Sequence, residues 1–542
     1  MSDAINSLSS NRGPHDESQR SKENGVEKEK VAAYDSASLI QTLEEELYET
    51  SDFGKAYLAK SKLVAEAIDD IGFGRYQLCL LCVAGMGWFS DNAWPIATSL
   101  ILPLLDELDG VHLPTNRAPY LTLAQNLGLL AGALFWSLTS DVIGRRWAFN
   151  ITFFITGLFA TSSGASPNFA AVAVFDALWS FGVGGNLPVD SAIFLEALPT
   201  SYQWLLTVMS IFWAFGQLIA NLIGWGLLGN FSCDKTKDIC LKADNQGWRY
   251  FLYTFGGLSL LMFTARFLFR LSESPRFYLA RGDDARAIEV LHRIAKFNKT
   301  ECSLTLEDLE YIDGLQLDGP KEEKPTHSLL LKAKISSFKM THIRECFGSK
   351  KLAISSSMVI FTWALIGLAF PLYNAFIPYY LGTRGGAAKT LSTYETYRNS
   401  LIVSVMGIPA SLLAGLLVEL RIGRKGTLCI SLLLTGVFLF CSTTAKTSNA
   451  NLGWTCAFSF LSNIMYGVLY AYTPEIFPTK VRGTAIGLAA SANRIFGVFA
   501  PIIAMFADLT TSAPIFVSGA LFIVSGVLAI FFPYEPKGKS SF

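Results

Sequence analysis

Charged side chains are scarce in this sequence. Asp, Glu, Lys and Arg make up 16% of the 542 residues, against roughly 25% in an ordinary soluble domain. The formal net charge is zero, so nothing indicates a nucleic-acid partner. Hydrophobic residues account for 51% of the chain. The composition therefore favours a membrane protein over a soluble one.

Signals of catalysis are lacking as well. The glycine-rich stretch "GVGGN" (182–186) lies in an apolar segment without the Lys-Ser/Thr of a phosphate-binding loop, and its glycines favour close helix packing. No group of His, Cys, Asp and Glu has the spacing of a metal site. We therefore predict no enzyme activity, no ATP-driven transport, no cofactor and no metal. No signal-peptide pattern opens the chain.

Twelve apolar stretches have the length that crosses a bilayer, about 20 residues or more. A backbone in lipid must satisfy its own hydrogen bonds, so each stretch is predicted to be helical. The predicted membrane helices cover 76–102, 117–139, 147–166, 169–194, 203–228, 248–271, 351–382, 395–418, 427–445, 451–474, 483–507 and 512–533. The predicted fold is an all-α membrane protein with twelve transmembrane helices in two pseudo-symmetric six-helix halves.

The other segments are polar. We predict a disordered tail over 1–70, a first half over 71–271, a charged connector over 272–350, a second half over 351–535 and a tail over 536–542. Lys and Arg concentrate in the connector and in alternate short loops. The positive-inside rule predicts that these loops and both termini are cytoplasmic.

Two motif pairs recur at one fixed offset. Gly144-Arg145-Arg146 is repeated as Gly423-Arg424-Lys425, and Glu196-Ala197-Leu198-Pro199-Thr200 as Glu475-Ile476-Phe477-Pro478-Thr479, each 279 positions later. Two matches at the same spacing indicate duplicated six-helix halves. Transporters with parallel halves bind their substrate near the bilayer midplane between the halves and alternate access to it.

The same motifs place acids and bases at helix ends on the predicted cytoplasmic side. They predict a gating network that holds the halves together in one state, although ordinary topology-setting charge is the alternative for the basic residues. The predicted gate residues are Asp141, Arg145, Arg146, Glu196, Glu419, Arg424, Lys425, Glu475 and Arg482.

The sequence resembles the major facilitator superfamily, within it the sugar-porter-like branch, and more closely the fungal relatives of the synaptic-vesicle-type transporters. The motifs that carry this resemblance are "SLTSDVIGRR" (137–146), "GVGGNLPVDSAIFLEALP" (182–199), "SESPRFYLARGD" (272–283) and "PEIFPTKVRGTAIG" (474–487). The resemblance spans about residues 68–535 and implies a transporter fold, without identifying the solute.

The sequence departs from the family pattern at several positions. Ser137 replaces a usual glycine, and the acid after the eighth predicted helix is Glu419, one position early. Asp176 occupies the place where the family often has an arginine, which is thought to interact with an acid in the first helix. The usual proton-coupling pair is therefore in doubt. Asp176 lies toward the outer end of its helix, where it could be solvated.

Ionisable residues inside membrane helices are costly and therefore need a reason. Asp91 lies in the middle of the first predicted helix, and Trp88, Asn92 and Pro95 share its face. We predict that Asp91 titrates with protons or binds a cation; a structural acid paired to a neighbouring helix is the alternative. Asp190 shares one helix face with Asn186 and is a second candidate for proton coupling. A gate or a structural role is the alternative for Asp190.

Polar and aromatic side chains on other helices predict a solute cavity. Trp213, Gln217 and Asn221 form a stripe that suits a cavity or inter-helix hydrogen bonding. Arg494 could contact an anionic substrate or extend to the interface. Further candidates are Trp363, Tyr373, Asn374, Asn463, Tyr466, Tyr470 and Asn493. The five histidines lie outside the predicted helices, so proton coupling would rest on carboxylates.

The loop over 229–247 carries two predicted modifications. Asn230 begins a glycosylation sequon, although the membrane is close. Cys233 and Cys240 are spaced for a local disulfide.

Three functions remain open from the sequence. The leading prediction is a secondary active transporter of a small polar organic solute, such as a sugar, a carboxylate or a vitamin-like nutrient, coupled to protons and acting as a monomer in the cell membrane. The alternatives are an efflux carrier for a secondary metabolite or toxic compound and a transport-inactive nutrient sensor. The expected partners are a small-molecule substrate, protons and the lipid bilayer, and no nucleic acid.

Overall fold

The computed structural model describes most of the chain. The described residues are 55–105, 118–143, 145–202, 205–233, 243–268, 271–279, 281–314, 344, 346–348, 350–378, 380, 391–477, 479–506 and 511–533. The predicted tail over 536–542 and the first part of the predicted tail over 1–70 lie outside them. The structure is all-α in the described part, as predicted.

The first part of the chain contributes eleven helices to the described residues. They are α1 (Lys55–Ile71), α2 (Arg75–Leu105), α3 (Ala118–Ile143), α4 (Arg145–Ser163), α5 (Phe169–Glu196), α6 (Leu205–Val208), α7 (Ser210–Phe231), α8 (Gly247–Leu268), α9 (Pro275–Leu279), α10 (Asp284–Asn298) and α11 (Leu306–Gly314).

Seven further helices follow among the described residues. They are α12 (Lys350–Asn374), α13 (Thr393–Val405), α14 (Gly407–Glu419), α15 (Gly423–Ser442), α16 (Ser448–Glu475), α17 (Thr479–Phe506) and α18 (Ala513–Ile530). Helices α13 and α14 together occupy one predicted membrane stretch, with an interruption at Met406.

Within the described residues, eight helical stretches are long and apolar enough to cross a membrane: α5, α7, α12, α13 with α14, α15, α16, α17 and α18. Helices α2, α3, α4 and α8 occupy the other four predicted positions. The large apolar side chains that remain exposed, such as Leu261 and Leu416, are the surface that a bilayer would cover.

Several predicted helix boundaries differ from the structure. The sequence placed Arg145, Arg424 and Lys425 in loops, yet α4 begins at Arg145 and α15 begins at Gly423. Lys and Arg interrupt the apolar stretches at these positions, which is why the sequence favoured loops there. The predicted helix over 203–228 is divided, with α6 ending at Val208 and α7 beginning at Ser210.

The predicted internal repeat is most regular at α5 and α16. Each has 28 residues, and α16 begins and ends 279 positions after α5 (169 to 448 and 196 to 475). The capping residues repeat at the same offset, because the side chains of Asn168 and Thr447 each accept a hydrogen bond from the backbone N–H three residues on.

Glycines of the "GVGGN" stretch let α5 approach its neighbours closely. A Cβ added at Gly184 would lie 2.3 Å from the carbonyl oxygen of Leu129 on α3. One added at Gly182 would lie 2.6 Å from that of Thr152 on α4. Backbone atoms cannot move aside as a flexible side chain can. These positions therefore require glycine for the packing of α3, α4 and α5.

The chain separates into two compact units, and the smaller one combines residues 1–64 with 305–323. Within it, Ala59 on α1 and Ile312 on α11 are buried together. Lys60 Nζ lies 2.7 Å from Asp313 Oδ1. The prediction of a disordered tail to residue 70 is thus wrong from Lys55 onward, because the amphipathic sequence of α1 forms a helix with a buried face.

The larger unit comprises residues 65–304 and 324–542, and it contains helix α10 of the connector. Asn298, at the end of α10, accepts a hydrogen bond from the backbone N–H of Tyr76 (2.8 Å) and donates to Gln77 Oε1 (2.9 Å). These bonds attach the connector to the first turn of α2.

Candidate functional site

A cavity of about 180 Å³ lies between the two halves of the larger unit. Its lining side chains come from α2, α3 and α7 of the first half and from α12, α16 and α17 of the second. They are Asp91, Asn92, Pro95, Thr122, Gln125, Asn126, Leu129, Trp213, Gln217, Trp363, Phe370, Pro371, Asn374, Ala375, Ser459, Ser462, Asn463, Tyr466, Tyr470, Ala490, Asn493 and Arg494, with Gly367 and Gly497.

An ion pair crosses this cavity. Arg494 Nη2 on α17 lies 2.8 Å from Asp91 Oδ1 on α2, with side-chain exposures of 24% and 10%. The two residues are 403 positions apart, so the contact joins one half to the other. Both charges remain accessible from the cavity, which means that protons or a solute can reach the pair without unfolding of either helix.

Aromatic rings form one wall of the cavity. Tyr470 makes edge contacts with Trp213 and with Trp363, each with ring centroids 4.7 Å apart. Phe370 packs edge-on against Tyr466 at 4.9 Å. These rings come from α7, α12 and α16 and therefore also join the two halves. They offer flat apolar faces beside the Asp91–Arg494 pair.

Side-chain amides hold the lining helices in place. Asn92 Nδ2 donates to the carbonyl oxygen of Trp213 (3.1 Å), which fixes α2 against α7. Asn493 Nδ2 donates to the carbonyl oxygen of Trp363 (3.2 Å), which fixes α17 against α12. The oxygen of a side-chain amide can also accept a hydrogen bond from a bound solute.

The structure brings eleven of the predicted transport residues to the cavity and leaves five outside its lining. Trp88 is buried behind Trp213, with ring centroids 5.0 Å apart. Asn221 donates to the carbonyl oxygen of Gln217 in its own helix, and the Tyr373 hydroxyl pairs with Thr455 Oγ1 at 3.2 Å. The eleven lining residues are Asp91, Asn92, Trp213, Gln217, Trp363, Asn374, Asn463, Tyr466, Tyr470, Asn493 and Arg494.

The other two predicted residues, Asn186 and Asp190, are fully buried within the first half. Asn186 Nδ2 donates to Ser90 Oγ (3.2 Å). Asp190 Oδ2 pairs with Arg266 Nη2 at 2.5 Å, and both side chains are inaccessible to solvent. Asp176, expected to lie where it could be solvated, is also fully buried.

Sequence reasoning missed the contribution of α3. Thr122, Gln125, Asn126 and Leu129 all line the cavity. Their spacing of three, four and seven residues is that of one helix face, and this pattern could have identified them. The uncharged polar residues Ser459 and Ser462 on α16 were missed in the same way.

The halves also meet beyond the cavity, at the end of α2 that leads to Leu105. The hydroxyl of Tyr397 on α13 donates to the carbonyl oxygen of Leu100 on α2 (2.7 Å). Thr393 Oγ1 donates to the carbonyl oxygen of Cys233 (2.7 Å). These bonds join the halves at this end.

Part of the predicted gate lies at the C-terminal end of α5, where Glu196 is the last helical residue. Arg145 forms an ion pair with Glu196. Glu273 accepts hydrogen bonds from the backbone N–H groups of Arg145 (3.0 Å) and Arg146 (3.1 Å). Burial raises the pKa of Glu273. The carboxylate thereby caps the N-terminus of α4 and offsets the basic residues there.

The Arg145–Glu196 pair differs from the prediction in one respect. It joins α4 to α5, so it lies within the first half and does not bridge the halves. Lys425 Nζ donates to the carbonyl oxygen of Phe532 (2.7 Å), and Arg424 is also partnered. The side chains of Asp141, Glu419, Glu475 and Arg482 lie outside the described part of the structure, and a gating role for the set stays a prediction.

The predicted modification sites lie at the end of α7. Asn230 is exposed on the last turn, and its Nδ2 donates to the carbonyl oxygen of Gly226 (2.9 Å). Cys233 is disulfide-bonded, whereas Cys240 lies outside the described residues. In the described part of the chain, no group of three or more His, Cys, Asp and Glu could hold a metal ion.

Comparison with known proteins agrees with this architecture. The model of the sugar (and other) transporter family matches residues 112–541. An uncharacterized MFS-type transporter of Schizosaccharomyces pombe is 66% identical, over 92% of each chain. MFS siderochrome iron transporter 1 of Ceriporiopsis subvermispora is 50% identical, over 92% of this chain and 94% of that protein.

A solved structure shares the fold. The inward-open xylose transporter XylE of E. coli superposes with a TM-score of 0.61 at 18% identity, covering 86% of this chain and 98% of that one. The family match and the two-half helical architecture lead to one conclusion. This chain is a multi-pass membrane transporter of the major facilitator superfamily and belongs to its sugar (and other) transporter family.

Proposed function

We propose that this protein is a proton-coupled secondary active transporter of a small polar organic solute. The observation that carries the proposal is the Asp91–Arg494 ion pair, which joins the two halves inside the cavity. Alternating access requires a site between the halves whose contacts change when one half rocks against the other. A charge pair in this position is such a contact.

The lining chemistry suits a solute with several hydrogen-bonding groups and an apolar face. Aromatic rings beside amide and hydroxyl groups are typical of sites that bind sugars or small ring compounds. Arg494 adds a cation that would bind a carboxylate. A sugar, a small carboxylate or a vitamin-like nutrient fits this set. The similarity to a siderochrome iron transporter adds ferric siderochromes to the solutes worth testing.

Proton coupling follows from the chemistry of the ion pair. Protonation of Asp91 removes the negative charge that holds Arg494. The guanidinium is then free to bind the solute, and the halves lose one contact that fixes their present arrangement. Deprotonation on the opposite side of the membrane restores the pair. In this cycle one proton crosses the membrane with the loaded carrier, and the carrier returns with Asp91 deprotonated.

The proposed location is the cell membrane. The distribution of Lys and Arg supports an orientation with both termini in the cytoplasm. The end of α5 that carries Glu196 would then face the cytoplasm, and the end where Tyr397 bonds to Leu100 would face outward. The proposed substrate direction is inward, driven by the proton gradient.

Uptake of an untargeted metabolite extract tests the proposal. Cells with and without the protein are incubated with the extract, supplemented with D-xylose and a ferric siderochrome, at acidic and at slightly alkaline external pH. We expect at least one solute to accumulate only in expressing cells and more strongly at acidic pH. Depletion of a cell metabolite instead would indicate an efflux carrier. If no solute changes at either pH, a transport-inactive sensor is favoured.

The Asp91→Asn variant tests the role of the ion pair. Asn keeps the size of the side chain and a hydrogen-bond acceptor for Arg494 but cannot titrate. We expect uphill accumulation to be lost while solute exchange at equal pH continues. Asp69→Asn, at an exposed acid that bonds Thr200, is the control that should behave as wild type. Proton-driven accumulation by Asp91→Asn at the wild-type level would exclude Asp91 as the coupling group.

A further inference from the structure

Asp176 on α5 is a second acid inside the first half, and the ion pair of the cavity does not use it. Its side chain is fully buried. Oδ1 accepts hydrogen bonds from Thr98 Oγ1 (3.3 Å) and from Ser180 Oγ (3.1 Å). Oδ2 has no hydrogen-bond partner among the described residues. Two neutral hydroxyl donors at one oxygen are weak compensation for an ionised carboxylate.

Charged groups on α5 and the helices packed against it are engaged elsewhere or distant. Asp91 on α2 pairs with Arg494. Glu196 pairs with Arg145, and at a rise of 1.5 Å per residue Glu196 lies about 30 Å from Asp176 along α5. Arg249 of α8 donates to the carbonyl oxygens of Gly164 and Ser166. The remaining described charges on these helices are Arg75 on α2, Arg146 on α4 and Asp190, which pairs with Arg266.

No described cation therefore forms an ion pair with Asp176. Removal of an ionised carboxylate from water without a cation costs several kcal/mol in a real protein. Protonation avoids this cost, because a neutral carboxyl group needs only ordinary hydrogen bonds. The surroundings of Asp176 therefore suit a neutral carboxyl group better than an ionised one.

A chain of hydrogen bonds connects this acid to the solute cavity. Gln125 lines the cavity, and its Nε2 donates to Thr98 Oγ1 at 2.8 Å. Thr98 in turn donates its hydroxyl proton to Asp176. In both bonds the donor is the residue nearer the cavity, and hydrogen bonds arranged in this way strengthen one another. A solute that draws the amide of Gln125 into the cavity therefore weakens the bond that Thr98 makes to Asp176. Binding and the protonation of Asp176 are thereby linked.

We propose that Asp176 is a second proton-carrying group of the transport cycle, linked to the bound solute through Thr98 and Gln125. The proposal rests on the proton coupling inferred above but assigns it a further residue. The proton leaves Asp176 when rocking of the halves admits water to α5, and the carboxylate accepts another proton before the site is enclosed again. No other bond forms or breaks.

Infrared spectroscopy of the purified protein in lipid nanodiscs tests the protonation without any solute. A protonated carboxyl group has its own carbonyl stretch, which shifts in D₂O. We expect this band in the wild type at neutral pH, its loss in Asp176→Asn and its retention in Asp91→Asn. Thr98→Val should keep the band but shift its frequency, because one hydrogen bond is removed. Wild-type and Asp176→Asn spectra without a difference in this region would overturn the proposal.

Transport of the same metabolite extract tests the coupling. Asp176→Asn should exchange solutes at equal pH yet lose the accumulation driven by a proton gradient, whereas Asp176→Glu should retain part of it. Accumulation by Asp176→Asn at the wild-type level overturns the role of Asp176 and leaves the proposed function intact. A wild type that accumulates nothing overturns proton-coupled transport itself, while the infrared band still decides the protonation state of Asp176.

Discussion

Replacement of Arg266 by methionine should destabilise the first half by about 3–5 kcal/mol, the usual cost when one partner of a buried ion pair is removed. Arg266 on α8 pairs with Asp190 at 2.5 Å, and neither side chain reaches solvent. Methionine leaves Asp190 as an uncompensated buried charge. The variant must either protonate Asp190 or admit water, and both cost free energy.

The surroundings of Arg266 explain why the cost should be large. Its guanidinium carbon lies over two rings, 3.6 Å from the ring centroid of Phe149 and 3.9 Å from that of Phe153. Its Nη1 also donates to the carbonyl oxygen of Phe149. A Cβ at Gly87 would lie 1.6 Å from Asp190 Oδ2. Helix α2 therefore closes the site from the remaining side.

A double-mutant cycle separates the charge from the packing. Asp190→Asn with Arg266→Met removes both charges and leaves a buried amide, which costs less free energy than an uncompensated buried charge. The double variant should therefore regain most of the stability that Arg266→Met loses. Unfolding of the purified variants in mixed micelles, followed by tryptophan fluorescence, measures the free energies.

The control is Arg286→Met, at an exposed pair with Asp283 (3.3 Å; exposures 66% and 37%). Exposed pairs contribute about 0–1 kcal/mol, so this variant should remain close to wild type. The reasoning is refuted if Arg266→Met is no more destabilising than Arg286→Met. It is also refuted if the effects of Arg266→Met and Asp190→Asn simply add.

Two further substitutions test the packing of α5 and the cap of α4. Gly184→Ala should lower the free energy of unfolding by about 1–3 kcal/mol, because its Cβ would overpack against Leu129. The control Gly226→Ala should be tolerated, since nothing lies within 4 Å of its Cβ. Equal thermal unfolding temperatures of the two variants would contradict this prediction. Because burial raises the pKa of Glu273, the native state binds its proton more tightly, and stability from this group falls as pH rises above the usual value of 4.5. Glu273→Gln should remove this part of the pH dependence in thermal unfolding curves, and an unchanged slope would speak against it.

The fold was largely predictable because its signals are local. Twenty apolar residues in a row identify a membrane helix without reference to the rest of the chain. The 279-residue offset identified the duplicated halves, and α5 and α16 follow it at both ends. Prediction failed where a distant residue changes a local preference. The start of α4 at Arg145 is one case, since Glu273 caps it from 128 positions away.

The candidate site was predictable in its residue types but not in its pairings. Asp91 and Arg494 were each identified as a charge that needs a reason, yet both an ion pair and separate roles were compatible with the sequence. Asp190 had no partner in the prediction, because Arg266 reads as an ordinary basic residue near the end of a helix. The polar face of α3 at Gln125 was overlooked because uncharged amides are common in membrane helices, where they bond to neighbouring helices.

The sequence by itself determined that this chain is a two-half helical transporter, because hydropathy, helix periodicity and duplicated motifs act over short stretches. Only the tertiary structure decided which charges meet. A helix exposes several faces, and the face that meets a neighbour depends on close approaches such as the one at Gly184. The pairing of Asp91 with Arg494 and the burial of Asp176 are decided at this level. The tertiary structure places one acid in the cavity and encloses the other.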